Sequence, residues 1–297
     1  MYAWREWQST MWAPVLPWLQ ATADLMAKID GIPHAAPCRQ FAAGCDLLVR
    51  LIKHYDKPQF GLTHTEIAGQ RIAVRKRIVL EKAFCRLVRF ERATECRHPV
   101  VLVVAPLSSH HATLLRDTVQ TMLPDFDVHI IDWLDARHVP LARGTFHLDD
   151  YVAYVQEFIE FLGPDVHVVA VCQSTVPVLS KPLDRFARTL INTVLRPHAG
   201  AGRKVYPGFR QHTAFVSMNP DRHLQAHVDY FHDVSAGDTE AANKHRTFYD
   251  EYNAVLDMAA EYYLDTVASC FRISRSRAER GWSMASECVP KRFATPY

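Results

Sequence analysis

Apolar and polar positions along this chain follow two rhythms, one of amphipathic helices and one of buried strands. In residues 1–30, Trp4, Trp7, Met11, Trp12, Leu16, Trp18, Leu19 and Met26 recur at spacings of three and four, the period of a helix with one apolar side. Pro14 and Pro17 divide that pattern into a short piece and a longer one, because proline interrupts the backbone hydrogen-bond ladder. A second helix is predicted from about Cys38 to Tyr55, with Phe41, Leu47, Leu48, Leu51 and Ile52 as its apolar side. From Arg71 to Arg89, Ile72, Val74, Ile78, Leu80, Phe84 and Leu87 alternate roughly with charged residues, as in an antiparallel pair with one wet face.

The texture then changes. Pro99–Ala105 is a continuous apolar run of the kind buried on both faces of a parallel sheet. A polar loop (Pro106–His111) follows, then a helix carrying Leu114, Leu115, Val119 and Met122, a strand at Val128–Asp132, a helix at about Asp149–Leu162, and a third apolar run at Val166–Val171. This alternation predicts βαβ units and a parallel α/β sheet. From about Tyr206 to Ile273 the pattern reads almost wholly as helix. Phe215, Met218, Leu224 and Val228 form one stretch, and Phe248, Tyr252, Leu256, Ala260 and Leu264 another. Arg272–Tyr297 is rich in Arg and Ser and has no clear period, which predicts loose structure.

Composition narrows the function classes. The chain has 297 residues, enough for one large domain or a domain with an appendage. With 34 Lys+Arg against 32 Asp+Glu, no strong field favours nucleic acid or an anionic membrane. None of the seven cysteines forms a C-x-x-C pair, so neither a zinc ribbon nor a thioredoxin-type motif is present. No apolar run approaches the ~20 residues of a membrane span, and Met1–Trp7 lacks the basic start and apolar stretch of a signal peptide. A cytosolic protein with reduced thiols is the expectation.

The sharpest chemical signal is Ala170-Val171-Cys172-Gln173-Ser174, which follows the third apolar run. A nucleophile in an α/β-hydrolase-type fold sits on a sharp strand-to-helix turn. Small residues flank it two positions away, because strand and helix approach closely there. Ala170 and Ser174 are those small residues and Cys172 is the nucleophile. The helix can run from Gln173 to Leu179 with Pro177 in its first turn. The backbone N–H of Gln173 would then be one oxyanion donor, and that of Leu107 or Ser108, on the loop after the first parallel strand, the other. A thiolate at a helix N-terminus suits the role, although a buried structural cysteine is the simpler alternative.

Val168–Leu179 resembles the nucleophile segment of intracellular polyhydroxybutyrate (polyhydroxyalkanoate) depolymerases. Val103–Ser108 with Ala112–Arg116 is similar to that family's oxyanion-side loop and helix. Asp132-Trp133, Ala136-Arg137, Val139–Leu141 and Leu148–Val152 are similar to its next segment. Arg203–Phe209, Met218-Asn219, Asp221–His223 and Phe248–Tyr252 resemble its helical region. The resemblance spans roughly residues 1–272. It implies an α/β-hydrolase-type sheet with N-terminal helices and a helical cap, and an enzyme that cleaves intracellular poly(3-hydroxybutyrate) through a cysteine-based triad. No cofactor and no metal are implied. The partner would be the polymer or its granule surface, in the cytoplasm. The divisions expected are residues 1–180 (N-terminal helices and core up to the nucleophile turn), 181–272 (helical region) and 273–297 (irregular tail).

Two departures qualify the activity. The family's triad acid and histidine follow the helical region, but Arg246–Tyr297 contains no histidine, so no triad acid or base is identified. After Val178-Leu179-Ser180 the chain passes directly to Lys181–Phe186, where the family has a further strand. An internally deleted, C-terminally truncated chain is the reading, with a sheet incomplete on its C-terminal side. His110 and His111 lie beside the turn but suit a pocket wall better than a base. His198, His212, His223, His227, His232 and His245 fall in the helical region. His223 and His227, at i and i+4, would face the same way, without the carboxylate of a metal-binding pattern. The expected function is an impaired thiol esterase. A non-catalytic granule-binding fragment is the first alternative, and a polyester synthase-like acyltransferase the second. The tryptophan-rich first helix suits core or cap packing first and a polymer granule second.

Overall fold

Two residues with positive φ, Ala68 (49°) and Gly69 (76°), turn the chain between β1 (His64–Ile67) and β2 (Gln70–Glu81), the geometry that closes a two-residue hairpin. β3 (Cys85–Arg92) returns antiparallel to β2, as the alternation at 71–89 predicts. β3 pairs antiparallel with β5 (Asp127–Trp133), and β4 (Val100–Val104) lies parallel between β5 and β6 (His167–Ala170). The sheet order is therefore β1-β2-β3-β5-β4-β6, a mixed sheet whose βαβ half gives the chain its α/β-hydrolase-type fold. In this computed structural model, residues 7, 10–27, 35–94, 98–170 and 190–268 are described.

The connections of the parallel half are a short 3-10 turn (Ala112–Leu115) leading into α3 (Arg116–Met122), and α4 (Leu148–Leu162). α4 begins where Asp150 accepts from the His147 N–H at 2.7 Å, a reciprocal cap that satisfies an orphan donor. Leu102, Val103, Ile130, Ile131 and Trp133 are almost wholly buried, as continuous apolar strands require. Trp133 stacks on Tyr151 of α4 (4.7 Å) and donates its indole N–H to the Ala105 carbonyl at 2.8 Å. β6 differs from expectation. Its apolar run reads as buried, yet among the described residues it is the sheet's edge and is largely exposed.

The helical region also differs. α5 (Gly208–Met218), α6 (Pro220–Ala236) and α7 (Thr239–Tyr252) are helices as read, with Pro220 starting α6 where a proline costs no hydrogen bond. On either side of them in the chain, however, β7 (Asn192–Thr193), β8 (Lys204–Tyr206) and β9 (Met258–Ala259) form a small antiparallel sheet. Such short strands leave too little alternation to be seen in sequence. Helix resumes over residues 260–268. One hydrophobic core runs from Phe60 through both sheets to Val267. Arg203 is buried within it, donating to the carbonyls of Val139 (3.0 Å), Pro140 (2.7 Å) and Gly144 (2.8 Å).

The N-terminal helices are α1 (Leu16–Ala27) and α2 (Ala35–Ile52). Pro17, read from sequence as a break in the pattern, lies inside the first turn of α1, where a proline costs no hydrogen bond. α2 is turned over relative to expectation. Phe41, Leu48 and Leu51 are exposed, while Ala42, Ala43, Cys45, Val49 and Arg50 are buried. The reason is polar. Arg50 donates to Asp250 (2.8 Å) and to the Arg246 carbonyl (3.1 Å) on α7. Asp46 accepts from Tyr230 of α6 and from Arg246. Charged pairs on one face of α2 hold its small residues against α6, and its large apolar residues point outward.

Candidate active site

β4 has β5 on one side and β6 on the other, so the chain diverges at its carboxyl end. Ligands of open α/β sheets bind at such a switch point. Val104 of β4 is registered against Ala170 of β6, so the last residue of β6 lies beside the start of the loop after β4. Cys172 and Gln173, two and three residues beyond Ala170, lie outside the described residues, as do Ser174, Pro177 and the tail from 269 onward.

Leu107 and Ser108 are on the loop after β4, where sequence reasoning placed the second oxyanion donor. Leu107 is buried and Ser108 half-buried. The loop is held from the far side. The Ser109 carbonyl accepts from the Leu256 N–H at 2.8 Å, and His110 bridges Val255. These contacts maintain Ser109 at φ 66°, a conformation that costs a non-glycine residue about 1–2 kcal/mol. Among the described residues, Ser109 Oγ, His110 Nε2, His111 Nδ1 and Thr113 Oγ1 are buried without a hydrogen-bond partner. Buried polar atoms are nearly always paired, and four of the fourteen unpartnered ones among the described residues fall within the five positions Ser109–Thr113.

The electrostatics of the loop disfavour positive charge. Burial lowers the pKa of His110, opposed by the backbone carbonyls of Ser108 and Tyr252. Burial, Lys57 and His110 push His111 down to about 3. Both rings are neutral at neutral pH. Lys57 itself is paired with buried Asp132 at 2.5 Å. Cys85, also beneath this end of the sheet, has its thiol pushed well up by burial, so it is an inert thiol.

The histidines of the helical region fall into groups that sequence could not foresee. His110, His212 and His223 surround Tyr252 at ring-centroid distances of 5.3, 5.1 and 5.3 Å. His223 also shares a hydrogen bond with the Tyr249 hydroxyl at 2.9 Å. His227 instead faces His245 (5.2 Å), which stacks on Tyr230 and Tyr249. His198 lies against His138, and His232 against Phe231. Among the described residues, no three His, Cys, Asp or Glu side chains are grouped to hold a metal.

One supporting cluster escaped sequence reasoning. Asp257 accepts from the Gly208 N–H (2.9 Å) and from Arg137 (3.3 Å), while its own N–H donates to Asp135 (3.2 Å). The Ala136 N–H donates to the Asp257 carbonyl at 3.0 Å. Burial and the Asp257 carboxylate raise the pKa of Asp135. This cluster ties the segment after β5 to the 255–257 segment that braces the Ser109 loop. Asp135 and Asp257 are far apart in sequence, and no local pattern announces their meeting.

Residues 170–289 match the family described as PHB de-polymerase C-terminus. The matched region begins at Ala170, the last residue of β6, and runs past residue 272, where the resemblance read from sequence fades. The family's description names the same polymer as the resemblance read from sequence. No curated protein and no solved structure matches the chain. No described helix is long and apolar enough to cross a membrane.

Proposed function

We propose that this chain, which carries a PHB de-polymerase C-terminal region, is a polyhydroxybutyrate depolymerase-like thiol esterase of low turnover. Its substrate would be poly(3-hydroxybutyrate) or a related 3-hydroxyalkanoate polyester at an intracellular granule. The observation that carries the reading is the family match starting at Ala170, two residues before Cys172, on a strand registered against the end of β4.

In this reading the Cys172 thiolate attacks an ester carbonyl. The oxyanion is held by the backbone N–H of Gln173 and that of Leu107 or Ser108. Collapse expels the alcohol end of the cleaved chain, which takes a proton, and leaves a thioester. Water then attacks the thioester, releasing the acid and returning the proton to sulfur. Turnover is low because a general base must accept a proton, and the two histidines on the neighbouring loop sit where burial opposes the imidazolium. A free cysteine is still a few per cent thiolate near neutrality, which leaves a slow reaction.

The test compares the chain with Cys172→Ala on amorphous poly(3-hydroxybutyrate), measuring released 3-hydroxybutyrate oligomers. The expected result is slow release by the native chain and background release by the variant. Equal rates would leave the second reading, a non-catalytic granule binder, which the neutral, buried His110 and His111 favour. Incorporation of hydroxyacyl-CoA into polymer would instead point to an acyltransferase.

A further inference from the structure

We propose that the outward faces of α1 and α2 dock the protein on the uncharged surface of a solid polyester. The proposal rests on the depolymerase reading and adds the surface by which the chain would reach its polymer.

The face is built by an inversion of ordinary amphipathicity. α2 buries Arg50 (8% exposed) and presents Phe41, Leu48 and Leu51 (59% exposed) to solvent. α1 packs on α2, and α2 packs in turn on α6. On its own outer side α1 exposes Trp18 (77%) and Leu25, and the turn before it exposes Trp12. Scattered exposed apolar residues are ordinary, but two adjoining helices with large apolar side chains outward mark an interaction surface.

Charge selects the occupant. From Trp7 to Ala23 there is no Asp, Glu, Lys, Arg or His. A polyester of 3-hydroxyalkanoates is likewise uncharged along its chain, so contact through Trp12 and Trp18 desolvates no ion, and Asp24 beside Leu25 is the one charge on α1. An interfacial helix built for anionic lipid carries Lys and Arg on its polar face, and α1 has none. The arginine-rich segment after residue 272 is a poor cover for an uncharged face. Tryptophan also suits the contact, because its ring packs against methyl and methylene groups while its indole N–H can donate to an ester carbonyl.

The test is co-sedimentation of the full chain with amorphous poly(3-hydroxybutyrate) particles, compared with a Trp18→Glu/Leu51→Glu double variant. Both positions are exposed, so the variant is expected to fold, which far-ultraviolet circular dichroism checks. Hydrolysis of a soluble 3-hydroxybutyrate trimer is followed in both proteins. The expected result is native protein in the pellet, a partition coefficient lowered at least about tenfold in the variant, and unchanged trimer hydrolysis. Equal pelleting of both proteins overturns the docking face and leaves the enzymatic reading intact. So does a native chain that cleaves trimer but never pellets. A native chain that does neither removes the depolymerase reading and the docking face with it. Equal binding to phosphatidylcholine vesicles, or a native dimer that the double variant dissociates, overturns the choice of polyester as occupant.

Discussion

Gly208→Ala is expected to lower the stability of the chain by about 3 kcal/mol, read as a shifted midpoint in urea unfolding. A Cβ at this position would lie 2.3 Å from the Leu256 carbonyl oxygen and 2.8 Å from its carbon. Both are backbone atoms, and no rotamer change can move them away. Relief requires a backbone shift that pulls the Gly208 N–H from Asp257, leaving a buried carboxylate short of a donor. Gly69→Ala serves as the control. Its φ is positive but nothing lies within 4 Å of the added carbon, so only conformational strain of about 1 kcal/mol is expected. If both variants cost the same, steric closure at Gly208 is not what ties α5 to the 255–257 segment. Since folded domains hold only about 5–15 kcal/mol in reserve, the larger loss would loosen the brace on the Ser109 loop.

Acidification from pH 6.5 to 4.5 is expected to cost about 3 kcal/mol of stability through His111 and His245 together. The sign follows from which state binds the proton. His111 is pushed down to about 3 and His245 to about 4, both chiefly by burial. Their unfolded forms protonate near the ordinary value of about 6.5. Between those values the unfolded chain holds more protons, so stability is complete above pH 6.5 and falls as the pH drops. His111 is well buried and supplies most of the effect. His245 is half-buried, and its share is reduced by solvent screening. The groups facing His245 are His227 and Tyr230 of α6, Tyr249, Arg246 and Asp250 of α7, and Arg50 of α2. Cations outnumber the single nearby carboxylate Asp250, in agreement with the direction. His245→Phe keeps a ring for the stack and removes the titration, so the pH dependence of its urea midpoint should flatten. An unchanged slope would rule out His245 as a contributor. Asp135 acts in the opposite sense. Its raised pKa keeps a proton on the folded carboxyl above about pH 4, where the unfolded one has lost it. Stability from this group declines as pH rises, and Asp135→Asn should steepen the net rise.

Much of the architecture was legible in the chain. The runs at Pro99–Ala105, Val128–Asp132 and Val166–Val171 correspond to β4, β5 and β6. The helix read at Asp149–Leu162 corresponds to α4. Their signals are strong because a strand between two layers must be apolar throughout and a helix on a sheet must be striped. The turned-over α2 was not legible. Phe41, Leu48 and Leu51 form a good apolar stripe, but Asp46 and Arg50 find partners on α6 and α7 that no local pattern announces. The strands β7, β8 and β9 were missed for a related reason, since two or three residues cannot display a period.

What the sequence by itself determined is the α/β class, the order of the parallel strands' segments and the depolymerase resemblance around Cys172. Each is written in local order, in runs and motifs a few residues long. Only the tertiary structure decided the rest: that Ser109 is held at positive φ by Leu256, that Asp135 and Asp257 meet, that Tyr252 gathers three histidines, and that Trp12 and Trp18 face outward. Those outcomes depend on which groups find partners across the fold, and buried hydrogen bonds and charges are satisfied by neighbours in space, not in sequence.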